Sequence, residues 1–174
     1  MAINLTKGQK IDIGLSNLSV GLGWTPNEGT GNAFDLDASA FMINANSQIP
    51  TEGHFIFFNN IDSPDGALHH TGDDPTGGNS SSGEDESILV DLTKISSDIT
   101  ELLFVVTIHD ATNRKQNFGQ VRDSYIRIVD NSNGQEIAKY ELGEDFSIET
   151  AVEFGRSYKR DGKWKFEASG IGCK

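Results

Sequence analysis

The 174-residue sequence holds one cysteine, four prolines and, between Lys10 and Lys94, no lysine or arginine at all. A lone Cys173 makes no internal disulfide and excludes cysteine-based zinc sites. Long apolar runs are missing too, since none approaches the ~18 residues that a membrane span requires. The opening MAINLTKGQK has no apolar stretch behind its charges, so no signal peptide is expected. These absences point to a cytoplasmic protein, in which the acceptor-like triplets at Asn4, Asn17 and Asn79 carry no glycan. Apolar residues make up only 36%, and 19 glycines mark a loop-rich chain. The length suits a single domain over residues 1–174.

A surplus of basic charge is also lacking. The formal net charge is −12, which disfavours a nucleic-acid partner. The imbalance is local: residues 11–93 carry thirteen carboxylates and no Lys or Arg, whereas the remainder is almost neutral. Disorder does not explain such a block, because its acids interleave with apolar segments such as FDLDASAF and HFIFFNN. Pairing with the basic half can neutralise some of them. It serves poorly a tight group such as Asp73, Asp74, Glu84, Asp85 and Glu86, where close like charges raise pKa values and cost stability. A hard divalent cation removes that cost directly.

What the sequence does have is alternation of period two in β-branched and aromatic residues. Ile11, Ile13 and Leu15 alternate with polar residues, and Val20, Leu22 and Trp24 share a face. Residues 33–43 read as a strand with Phe34, Leu36, Ala38 and Ala40 on one side and Asp35, Asp37 and Ser39 on the other. Further strands are predicted at 54–58, 66–70, 86–92, 101–109, 124–130, 135–142, 151–158 and 163–168. Asn133-Gly134 and Asp161-Gly162 mark hairpins. Thr93–Asp98 suits one helical turn, and Asn117–Asp123 a buried connection anchored by Phe118. The expected fold is all-β, a two-sheet antiparallel β-sandwich with long acidic loops at one end.

The longest irregular stretch, TGDDPTGGNSSSGED over 71–85, joins two of these strands and has no large apolar side chain. Ca2+ takes six to eight oxygen ligands, and this loop offers carboxylates at both its ends. An EF-hand count from Asp73 places Gly78 sixth and Glu84 twelfth. It fails because Pro75 and Gly77 fall where side-chain oxygens are needed and no helices flank the loop. Asp35, Asp37, Asn59, Asn60, Asp65 and Asp110 sit at predicted strand ends, where they suit more than one cation site, a reading that dense carboxylates without counter-charges favour over ordinary turns. His69 and His70 are adjacent and so point to opposite faces of a strand, unable to chelate one ion. His54 and His109 are isolated. No nucleophile elbow or phosphate loop occurs, although a carboxylate pair for hydrolysis remains open in so acidic a chain. The final hairpin gathers Arg156, Tyr158, Lys159, Arg160, Lys163, Trp164 and Lys165, a solvated face over a core formed by Trp164 and Phe166, or a patch for a partner.

VGLGW (20–24), FDLDASAF (34–41), FIFFNN (55–60), HTGDDPTG (70–77) with GEDE (83–86), FVVTIHDA (104–111), NFGQV (117–121) and WKF (164–166) together resemble the TerD family of tellurite-resistance and general stress proteins. The blocks follow the family order along nearly the whole chain. The resemblance implies a β-sandwich that binds Ca2+ through acidic loops, with two ions expected, and a bacterial stress role without enzymatic activity. It implies other stress-response and tellurite-resistance proteins as partners. By motif the implied metal ligands are Asp35, Asp37, Asn60, Asp73, Asp74, Glu84, Asp85 and Glu86, to which position and chemistry add Asp65 and Asp110. The chain has Glu84 where members commonly carry aspartate, a longer arm toward the ion. Two other classes compete with this reading: a metal-assisted hydrolase using the same acidic cluster, and a Ca2+-dependent adhesion or membrane-surface module.

Overall fold

Alternation of apolar and polar residues along short segments produces strands that each bury one face, and two sheets of them close on a shared core. The computed structural model describes residues 3–4, 8–12, 17–24, 36–57, 59–71, 86–108, 125–131, 135–141, 151–169 and 171–173. Within these lie β1 (Ile3–Asn4), β2 (Lys10–Asp12), β3 (Asn17–Gly23), β4 (Leu36–Asn44), β5 (Phe55–Ile56), β6 (Leu68–His70) and β7 (Glu86–Asp91). They continue with β8 (Ile99–Ile108), β9 (Tyr125–Asp130), β10 (Gln135–Glu141), β11 (Ala151–Arg160), β12 (Lys163–Glu167) and β13 (Ile171–Cys173). One 3-10 turn, Glu52–His54, precedes β5, and there is no α-helix among the described residues.

The first sheet runs β1-β10-β9-β3-β7-β6 and the second β2-β12-β11-β8-β4-β5, with β13 also paired to β11. All pairings are antiparallel except β1 with β10. The predicted two-sheet antiparallel sandwich is therefore the fold. Leu18, Val20 and Leu22 of β3, Ile126 and Ile128 of β9 and Ile88 and Val90 of β7 face Leu36, Ala38, Ala40 and Met42 of β4 and Leu102, Phe104 and Val106 of β8. LLFVVTI is the central strand of its sheet, as its continuous apolar character predicts.

The Asp161-Gly162 hairpin is present, with φ of 53° and 77° at its two turn residues. Both left-handed values match the mirror-image turn that a two-residue hairpin needs. Phe166 lies in the core beneath the hairpin and Trp164 packs against it. Thr93–Asp98, by contrast, forms a pair of turns, closed by Lys94 N–H to the Asp91 carbonyl and Ile99 N–H to the Ser96 carbonyl. Asp91 explains why: its Oδ1 accepts from both the Thr93 N–H and hydroxyl, which draws the chain into an Asx turn instead of a helical one. Asn133-Gly134 and Asn117–Asp123 lie outside the described residues.

The acidic end of the sandwich

β7 begins with Glu86, and period two carries its side chain inward with Ile88 and Val90. Glu86 is only 1% exposed. Its Oε1 accepts a hydrogen bond from the Ala38 backbone N–H of β4, in the opposite sheet, at 3.0 Å. Ala38 lies two residues before Ala40, the first β4 residue paired with β5. The carboxylate supplies the acceptor that a buried N–H must have. His70, at the end of β6, places Nε2 3.2 Å from the same Oε1, with both side chains fully buried. Three strands from two sheets thus meet at one carboxylate.

Asp37 precedes Ala38 and is 8% exposed. It sits on the other face of β4, in register with Thr107 of β8. Oδ1 of Asp37 and Oε2 of Glu86 meet no hydrogen-bond donor among the described residues, while other contacts engage both side chains. Asn60 belongs to the same end, one residue before Ile61, whose carbonyl accepts the His70 N–H at 2.8 Å. Its amide Nδ2 donates to the Phe55 and Gly53 carbonyls at 2.8 and 3.2 Å, closing the turn after β5.

Asp65 is elsewhere. Its Oδ1 accepts from the Ser63 hydroxyl at 2.7 Å and the Ala67 N–H at 2.9 Å, and its Oδ2 from the Ser96 N–H at 2.8 Å. Ala67 is bound to Asp91 at the far end of β7, about 17 Å from Glu86 at ~3.3 Å per strand residue. Burial pushes the Asp65 pKa up, but hydrogen bonds from Ser96, Ser63 and Ala67 and the field of His54 outweigh it, leaving a net lowering. Asp65 therefore ties the 63–67 turn to the connection after β7.

Asp35, Asp73, Asp74, Glu84, Asp85 and Asp110 lie outside the described residues. Sequence places them next to described strand ends: Asp35 before Leu36, Asp73 and Asp74 after Thr71, Glu84 and Asp85 before Glu86, and Asp110 after Ile108. Those strand ends themselves lie together. Leu36 pairs with Ile108, Thr71 bonds to Ser87, and Glu86 reaches Ala38. No group of three or more His, Cys, Asp or Glu is arranged to hold a metal among the described residues. The side chains that sequence puts next to these strand ends are carboxylates, oxygen donors of the kind a hard cation such as Ca2+ takes.

The sequence reading missed His70 as the partner of Glu86. Its signal was present in the pattern: Leu68 and His70 on β6, like Glu86 and Ile88 on β7, fall on the inward positions of paired strands. His69, one residue away, faces outward to Asp62 at 2.7 Å, so the adjacent histidines do point apart.

Fold and site define an all-β sandwich whose two sheets are joined by a buried glutamate. Residues 1–174 match the TerD domain family, and the chain belongs to it. It is 45% identical over 177 residues to tellurium resistance protein TerD of an Alcaligenes species, covering 99% of this chain and 91% of that one. It is 44% identical over 178 residues to general stress protein 16U of Bacillus subtilis, with the same coverage. A crystal structure of a homologue of telluride resistance protein (TerD) from Streptomyces coelicolor superimposes with a TM-score of 0.77 at 21% identity, covering 92% of each chain, and confirms the fold.

Proposed function

We propose that the protein is a non-enzymatic, calcium-binding member of the tellurium-resistance and general stress family that works in the cytoplasm. Ca2+ would be held by Asp35, Asp37, Asp73, Asp74, Glu84, Asp85 and Glu86, with Asn60 and Asp110 at the same end. Bound there, the ion neutralises the like charges of the 71–86 segment and ties it to the sandwich. An ordered acidic surface then becomes readable by partners among the stress-response proteins. The observation that carries the reading is the Glu86 carboxylate, which joins both sheets at the strand end from which the acid-rich segment departs. The relatives' names, for tellurium resistance and general stress, support the physiological side.

A ligand that binds only the folded state stabilises it by about 2.7 kcal/mol at a hundredfold excess over its dissociation constant. Thermal unfolding with Ca2+ and then with chelator, together with calorimetric titration of Ca2+, Mg2+ and Mn2+, tests the proposal. A higher midpoint in Ca2+ and saturable heat selective for Ca2+ are expected. Coincident midpoints with no binding heat refute it.

A further inference from the structure

His70 closes β6 at the point where the acid-rich segment departs, and Glu86 opens β7 where that segment returns, 16 residues on. Backbone hydrogen bonds fix both positions. His70 N–H donates to the Ile61 carbonyl at 2.8 Å, and Thr71 N–H donates to the Ser87 carbonyl at 2.9 Å. The Thr71 hydroxyl accepts the Ser87 N–H in return at 3.1 Å. In register His70 stands opposite Ile88, the next inward residue after Glu86. Its ring is therefore the diagonal neighbour of the Glu86 side chain and within reach of it. Both side chains are fully buried.

Oε1 of Glu86 meets groups from two strands, the Ala38 N–H of the other sheet at 3.0 Å and His70 Nε2 of the neighbouring strand at 3.2 Å. A carboxylate only accepts, so Nε2 is a ring nitrogen that carries a proton. Glutamate has a long, rotamer-rich side chain, and a single hydrogen bond lets its carboxylate swing about the contact. A second donor on the same oxygen removes that swing. We infer that His70 is a positioning residue for the calcium site proposed above, on which this role depends: by holding Oε1, it fixes the orientation in which Glu86 meets the ion. Hydrogen-bond partners behind a metal-binding carboxylate act without touching the metal, and losing one costs about 10–100-fold in affinity. His69 supplies the contrast, since its ring faces outward to Asp62 at 2.7 Å.

Calorimetric Ca2+ titration of the whole chain, at a temperature where circular dichroism shows each variant folded, tests this. His70→Ala is expected to bind Ca2+ at least about tenfold more weakly than the parent protein. His70→Gln, whose amide keeps an N–H near the place of Nε2, is expected to recover most of that loss. His69→Ala is expected to match the parent. Long-range proton–nitrogen correlation spectra of the parent read the ring itself: a proton on His70 Nε2 with and without Ca2+, and a shift of Nε2 on saturation, are expected. Affinity left intact in His70→Ala, even with lower stability in chelator, overturns the role. So does His70→Gln binding no better than His70→Ala. A ring protonated only at Nδ1 overturns it even where His70→Ala does not fold. A parent protein that binds no Ca2+ overturns the calcium reading itself, and this role with it.

Discussion

Glu86 of one sheet accepts the backbone N–H of Ala38 in the other at 3.0 Å, so a single side chain fastens the two layers together. Removing it strands a buried donor and deprives His70 of its acceptor. Glu86→Ala is expected to lower unfolding free energy by about 1–3 kcal/mol. Glu86→Gln keeps an oxygen for Ala38 and is expected to cost less. Urea denaturation in chelator makes the measurement independent of any bound ion. Equal stability of all three proteins contradicts the bridging role.

Asp65 gives a pH-dependent contribution. Its folded pKa is lowered below the ordinary 3.8, so its stabilisation is present above that value and is lost as pH falls through the folded one. Asp65→Asn is expected to be destabilised by about 1–3 kcal/mol at neutral pH. The gap to the parent protein should close in strong acid. Unfolding curves taken from pH 7 down to about 2 read the convergence.

Gly155 sits at a bulge in β11, where the pairing with β8 shifts register between Glu153 and Gly155. A Cβ there would stand 2.2 Å from Cζ of the buried Phe166. Gly155→Ala is expected to cost about 1–3 kcal/mol by overpacking. Phe166→Leu in the same background should recover part of that loss, a coupling that a double-mutant cycle measures directly.

Arg156 joins β11 to Glu101 of β8 and Glu167 of β12. Burial acts to lower its pKa, but the two carboxylates prevail and raise it further. Lysine cannot hold both partners with one fork. Arg156→Lys is expected to lose about 0.5–1 kcal/mol, shrinking in high salt because the group is partly exposed. A salt series of melting curves for the two proteins checks this.

The strands were legible because alternation writes burial into the sequence. Val20, Leu22 and Trp24, or Leu36, Ala38 and Ala40, declare an inward face without any knowledge of partners. β1 and β13 were not foreseen. Two- or three-residue pairings carry no period, and β1 runs parallel to β10, far away in the chain. At the site, sequence identified the acidic segment and placed Glu86 at the start of a strand as an implied metal ligand, but gave no sign of what it bonds. Its partners, Ala38 and His70, lie 48 and 16 residues away. Asp65 shows the opposite difficulty: an aspartate beside proline and glycine looks the same whether it caps a turn or awaits a cation. Only the Ser96 N–H, 31 residues on, reveals what it holds.

The Ala38–Glu86 bond bears on how the two layers can move past one another. Sliding one sheet over the other by a single strand residue, about 3.3 Å, would carry the carboxylate away from its donor. Shear between the layers is thus resisted at this strand end by a polar contact as well as by the shared core.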